Sequence, residues 1–89
     1  MDAGQLLEML RIDLGITTTA YDTRLAEYIA SAQAEITRQG ASLTDSVGDM
    51  QLVVMYAAWM WRRRDTGEGM PRMIRYALNN RIFQGKING

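Results

Sequence analysis

Asp45 and Asp49 stand four residues apart, so a helix through them would carry both carboxylates on one face. Such a pair can hold a cation or exchange a proton. The simpler interpretation is electrostatic, because carboxylates near the start of a helix are stabilised by the positive end of its dipole. The chain contains no histidine and no cysteine, the commonest general base and the thiolate metal ligand. We therefore expect no enzymatic activity, no metal site and no cofactor.

Three consecutive arginines, Arg62, Arg63 and Arg64, form the densest charge cluster in the sequence, and Arg72 and Arg75 follow shortly after. Two interpretations of the cluster stay open. It faces DNA or an acidic partner, or it is a solvated helix end, where cations interact favourably with the dipole.

The chain has a net charge of zero, and this balance hides an asymmetry. Residues 1–61 hold eight acids against three arginines, a net charge of −5, whereas residues 62–89 hold seven bases against two acids, a net charge of +5. A free-standing nucleic-acid-binding protein is usually basic overall, so the neutral total argues against that class. The sequence predicts a molecule with one acidic and one basic part.

The hydrophobic pattern predicts an all-α fold, a compact bundle of four helices over approximately residues 3–14, 20–39, 44–65 and 71–83. The bundle is expected to be one domain, residues 1–83, followed by a short flexible tail, residues 84–89. The third helix is apolar on all sides and must therefore be covered on all sides. Its longest apolar run has ten residues, well below the about 20 that a membrane span needs.

Polar residues three apart mark the expected helix starts. These capping pairs are Asp2 with Gln5, Thr19 with Asp22, and Ser42 with Asp45. Gly15 offers the left-handed conformation that ends many helices, and Pro71 suits the first turn of the fourth helix. The second and fourth helices each have one apolar face, predicted to be buried: Tyr21, Leu25, Ile29, Ala32 and Ile36; and Met73, Ile74, Ala77, Leu78 and Ile82.

The third and fourth helices, joined by a glycine-containing turn, resemble a helix-turn-helix in outline. Arg72, Arg75 and Asn79 share one side of the fourth helix, a suitable row for phosphate or base contacts. The strongly apolar third helix and the neutral total charge argue against this class. A small DNA-binding regulator is therefore the first alternative function, and a helical protein-binding module such as an antitoxin is the second.

Two stretches resemble a known family. Residues 10–16 (LRIDLGI), with the helix that follows at 21–36, resemble the opening of tailed-phage head–tail connector (adaptor) proteins, often labelled DNA-packaging proteins. Residues 52–59 (LVVMYAAW), the three arginines, Met70-Pro71 and residues 77–81 are similar to the second half of that family. The resemblance covers roughly residues 6–83.

The resemblance implies a structural virion protein that forms a ring of about a dozen subunits below the portal, a closed head-to-tail assembly. Such a ring extends the DNA channel and is the platform for neck and tail attachment. The implied partners are copies of the chain, the portal protein, the next neck or tail completion protein, and DNA that passes without sequence recognition. No membrane and no small-molecule substrate are expected. The implied location is the head–tail neck of the virion and, before assembly, the cytoplasm of the bacterial host.

Within this hypothesis, the subunit contact uses an exposed apolar side of the third helix, Tyr56, Trp59 and Met60. Tryptophan is enriched at binding hot spots, and Trp59 and Trp61 lie on nearly opposite sides of the helix, so one is expected in the core and the other at an interface. The basic residues are expected to face a neighbour's acidic part or the DNA channel: Arg62, Arg63, Arg64, Arg72 and Arg75.

Overall fold

A computed structural model describes the backbone of residues 1–88 and the side chains of residues 1–85, and Gly89 lies outside the described residues. The elements are four helices: α1 (Ala3–Leu14), α2 (Asp22–Arg38), α3 (Val47–Thr66) and α4 (Arg72–Asn88). The predicted all-α bundle is confirmed, and the described residues contain no strand. The helix bounds lie within three residues of the predicted ones, with one exception. Helix α4 continues to residue 88, so residues 84–88, predicted as a tail, belong to the helix.

Helix α1 begins and ends as predicted. The carboxylate of Asp2 accepts hydrogen bonds from the backbone N–H groups of Gly4 (2.9 Å) and Gln5 (3.3 Å). Gly15 has φ 72°, the left-handed conformation that glycine adopts without steric cost. These local signals fix both ends of α1 without help from the rest of the fold.

The starts of α2 and α3 differ from the predicted capping pairs. Helix α2 begins without a side-chain cap, so Thr19 does not cap it. Helix α3 is capped by Ser46, whose Oγ accepts from the N–H of Asp49 at 3.1 Å. Asp45 instead pairs with the amino group of Met1 at 2.6 Å. The predicted capping pair of Ser42 and Asp45 was therefore wrong, and the true cap lies four residues after Ser42. Several polar residues precede α3, and the sequence alone does not show which of them caps it.

Helix α3 is the centre of the bundle, and α1, α2 and α4 all pack against it. Leu52, Val53 and Val54 are consecutive and all buried. Successive residues point about 100° apart around a helix, so one neighbouring helix cannot cover all three. The α2 face packs as predicted, with Leu25 fully buried, except that Tyr21 remains 50% exposed.

Helix α4 buries only a narrow strip. Ile74 and Leu78 are 5% and 2% exposed, whereas Met73, predicted to be buried with them, is 72% exposed. The prediction for Met73 was wrong because α4 packs mainly on α3 and has one covered side.

A buried ion pair holds α4 in place. The Nε of Arg81 lies 2.7 Å from Oδ1 of Asp49, and the Asp49 side chain is 4% exposed. The other carboxylate oxygen accepts from the backbone N–H and the hydroxyl of Thr44, at 2.7 and 2.8 Å. Arg81 also donates to the carbonyl of Ser42. This network joins α4, the start of α3 and the α2–α3 loop.

We expect Arg81→Gln to lower the free energy of unfolding by about 3 kcal/mol, because it leaves the buried Asp49 carboxylate without its charge partner. The matched control is Arg38→Gln, since Arg38 and Glu35 also approach to 2.7 Å but are 71% and 40% exposed. Exposed pairs contribute little, so the control should unfold at the wild-type midpoint. Urea unfolding measures both. Equal losses in the two variants would show that burial does not decide the strength of the Arg81 pair.

Candidate interaction surfaces

The outer side of α4 carries an uncovered apolar stripe, here called the α4 ridge: Met73, Tyr76 and Phe83. Their exposed fractions are 72%, 60% and 62%. Spacings of three and seven residues place them on one face of the helix, away from the buried Ile74 and Leu78. Six large apolar side chains are exposed among residues 1–85, and three of them belong to this ridge, so the exposure is concentrated on one element.

Basic side chains accompany the α4 ridge. Arg72 and Arg75 are exposed on α4, and the sequence from residue 70 to residue 85 contains no acidic residue. The third arginine of the helix, Arg81, is neutralised by Asp49. The outer surface of α4 is therefore apolar and positively charged.

An apolar groove runs between α1 and α3. Its first part has a volume of about 420 Å³ and is lined by Met9, Ile12, Asp13, Gln51, Val54 and Met55. A second part of about 290 Å³ shares Asp13 and Met55 and reaches the start of α4: Ala58, Trp59, Arg62, Glu68, Pro71, Met73 and Ile74. The two parts together are called the α1–α3 groove.

The rim of the α1–α3 groove carries charges of both signs. Asp13 and Glu68 line it together with one base, Arg62, which lies 3.6 Å from the Asp13 carboxylate, and Arg63 stacks on the lining residue Trp59. Ile12, on the α1 side, is 74% exposed. The groove thus offers an apolar lining with two carboxylates at its rim.

The three residues predicted for the subunit contact have different positions. Tyr56 and Trp59 are 5% and 9% exposed, and their rings meet edge to face at 5.5 Å. The indole Nε1 of Trp59 donates to the carbonyl of Gly69 at 3.1 Å. The expected exposure of Tyr56 and Trp59 is therefore corrected: within the single chain both belong to the core. Met60 is half-buried, and a contact of these residues with a neighbour stays a prediction.

The predicted arginine cluster stacks on the two tryptophans. The guanidinium of Arg63 lies 4.7 Å from the ring centre of Trp59, and that of Arg64 lies 3.7 Å from the ring centre of Trp61. Such cation–π contacts restrict where the charges can point. Arg62, by contrast, lines the α1–α3 groove. The run of three arginines therefore does not form a single charged face.

Trp61 is the more accessible of the two tryptophans. It is half-buried and meets Tyr21 and Tyr28 edge to face, at 5.8 and 5.7 Å. The expectation that one tryptophan lies in the core is confirmed, and that residue is Trp59. A helical wheel could not identify it, because α3 is apolar on both sides.

Asp49 is the one buried charged residue found in the part of the chain that the structure describes. Burial opposes its charge, but the hydrogen bonds from Arg81 and Thr44 outweigh this effect, so the pKa of the Asp49 carboxyl lies below its usual value. Sequence reasoning placed Asp49 near the start of a helix but missed Arg81, which lies 32 residues away.

Residues 1–88 show no group of three or more acidic side chains placed to hold a metal ion. The helices of this part of the chain are too short or too polar to cross a membrane. The absence of enzymatic activity stays a prediction. Neither a protein-family profile nor a curated protein nor a solved structure matches the chain.

The lowered pKa of Asp49 predicts a pH dependence. A carboxylate with a lowered folded-state pKa stabilises the fold fully above the ordinary carboxyl pKa of about 4, and this contribution is lost as the pH falls through the lowered value. We therefore expect the stability difference between the wild type and Asp49→Asn to be largest near neutral pH and to shrink in acid. Urea unfolding across a pH series measures it. A difference independent of pH would show that the Asp49 charge contributes nothing.

The position of Trp59 predicts a loss of stability on truncation. We expect Trp59→Ala to lower the free energy of unfolding by about 3–5 kcal/mol, as for other buried aromatic residues. Trp59→Phe should lose less, mainly the roughly 1 kcal/mol of the hydrogen bond to Gly69. Trp61→Ala is the control, since Trp61 is only half-buried. If Trp59→Ala unfolded like the wild type and failed only in self-assembly, Trp59 would be an interface residue after all.

Proposed function

We propose that this protein is a structural subunit that assembles with copies of itself into a ring, in the manner of the head–tail connector proteins of tailed phages. The observation that carries the proposal is the α4 ridge, where three large apolar side chains lie uncovered on one face of a helix. Large apolar side chains exposed on one face of a helix are typical of protein–protein interaction sites. The residue pattern over 6–83 supplies the resemblance to that particular family.

The place of the ring follows from the resemblance. The ring would lie below the portal in the neck of the virion, extend the DNA channel, and form the platform for the next neck or tail protein. Before assembly the subunit would be in the cytoplasm of the host. The portal protein and the next neck or tail protein are the proposed partners besides copies of the chain.

The proposed role of the basic residues is to face acidic surface, either a neighbour's residues 1–61 or the DNA in the channel. Arginine contacts to phosphates are independent of base sequence, which suits DNA that only passes through. Arg72 and Arg75 are exposed, and Arg63 and Arg64 are exposed while they stack on tryptophan rings, so all four charges are accessible to a partner. Of the proposed contact residues on α3, Met60 is the one with appreciable exposed surface.

The first test is the mass of the purified protein in solution, by light scattering after size exclusion, over a concentration series. We expect a species approaching about a dozen times the chain mass of 10.1 kDa, with a closed rather than an open-ended size distribution. A firm dimer would instead favour the DNA-binding regulator, and a DNA titration would follow. A monomer at every concentration would contradict spontaneous ring formation.

If opposite charges meet across the subunit contact, salt should weaken assembly. Charges on exposed surface are screened over about 10 Å at 0.1 M ionic strength and over about 3 Å at 1 M. We therefore expect the mass to fall toward that of the monomer as the salt concentration rises. Assembly that is unchanged or stronger at high salt would show that apolar burial, and not charge, dominates the contact.

A further inference from the structure

We infer that the α4 ridge of one copy docks into the α1–α3 groove of the next copy, so that the contact is head-to-tail. The inference rests on the proposed self-assembly and names the surfaces that meet. An amphipathic helix that lays its apolar face into a hydrophobic groove is a recurrent mode of protein recognition. Here one chain presents both the helix and the groove.

Met73 lines the second part of the groove in its own chain, but the other two ridge residues, Tyr76 and Phe83, do not, and they cannot turn into it. Ile74 and Leu78 are buried on the side of α4 opposite the ridge, and Arg81 fastens the helix to Asp49. Turning the ridge toward the groove would expose these apolar residues and break the buried ion pair. A second copy can supply the same ridge with its own α4 left in place.

The charges of the two surfaces are complementary. Two carboxylates line the groove, and because Asp13 already pairs with Arg62 at 3.6 Å, Glu68 is the one left to meet an arginine of the next copy. The exposed charges of α4, Arg72 and Arg75, are both positive. Complementary potentials favour this encounter and oppose the pairing of two ridges, which would bring like charges together.

The geometry of the pair determines the kind of assembly. A contact between two different surfaces leaves a free groove at one end and a free ridge at the other. Such heterologous contacts continue from copy to copy and produce a closed ring or an open filament. A pair of identical surfaces would instead stop at a dimer.

The test uses one variant for each surface. Ile12→Lys places a positive charge in the groove, and Tyr76→Lys places a charge of the same sign on the ridge, so that a blocked groove and a blocked ridge also repel each other. Both positions are largely exposed, at 74% and 60%, so neither change removes a core contact. Val47→Lys is the control, because Val47 is 64% exposed and lines neither part of the groove. Circular dichroism melts verify that all three variants fold.

Each surface variant alone should assemble at least about tenfold more weakly than the wild type, a loss of about 1.4 kcal/mol. The control should assemble normally. Mixing the two surface variants should restore one contact, between the intact ridge of Ile12→Lys and the intact groove of Tyr76→Lys. The mixture should therefore form a one-to-one dimer that does not grow, because its remaining groove and ridge are both blocked. Light scattering of each protein and of the mixture measures this.

The outcomes separate the inference from the proposed function. If the wild type forms rings and both surface variants form them equally well, another surface makes the contact, so the inference fails and the ring stands. If the wild type forms open chains that both variants abolish, the inference stands and the ring fails. If the wild type stays monomeric and the mixture does not pair, both fail.

Discussion

The constraint on which the rest of this structure depends is the need to cover α3. Its consecutive residues Leu52, Val53 and Val54 are all buried, which requires neighbours on more than one side. A chain of 89 residues buries a smaller share of its surface than a larger domain does, and it has three further helices with which to do so. Helices α1, α2 and α4 meet most of the requirement. The strip of α3 between α1 and α4 remains open and becomes the floor of the α1–α3 groove.

The ion pair of Arg81 and Asp49 fixes the position of α4, which apolar packing alone does not. Helix α4 buries only a narrow strip on α3, and apolar side chains alone fix the rotation and position of such a helix poorly. The pair of Arg81 and Asp49 adds directional contacts that define both. Because Asp49 also binds Thr44, the same carboxylate fixes the loop before α3. A charge that is expensive to bury is tolerated because the two carboxylate oxygens of Asp49 accept four hydrogen bonds from Arg81 and Thr44.

The sequence predicted the features that depend on neighbouring residues. Helical periodicity identified four helices and the buried face of α2, and Asp2 and Gly15 marked the ends of α1. Features that depend on distant residues were missed. Nothing local relates Arg81 to Asp49, and nothing in the pattern of α4 shows that Met73 lies outside the buried strip. For Trp59, an all-round apolar helix gives no sign of which side is covered. The interface and the family resemblance stay predictions, because they concern contacts beyond a single chain.

The one-sided attachment of α4 has a consequence for local stability. Segments with few buried contacts open at a lower free-energy cost than the core of the same protein, and their amide hydrogens exchange sooner. Helix α4 packs mainly on α3, whereas α2 and α3 share the larger part of the core. Any molecule that covers the outer side of α4 would therefore slow this opening as well as bind the surface. Binding of a molecule to the outer side of α4 can therefore be measured in two ways, as occupancy of that side and as slower opening of α4, because both depend on the same equilibrium.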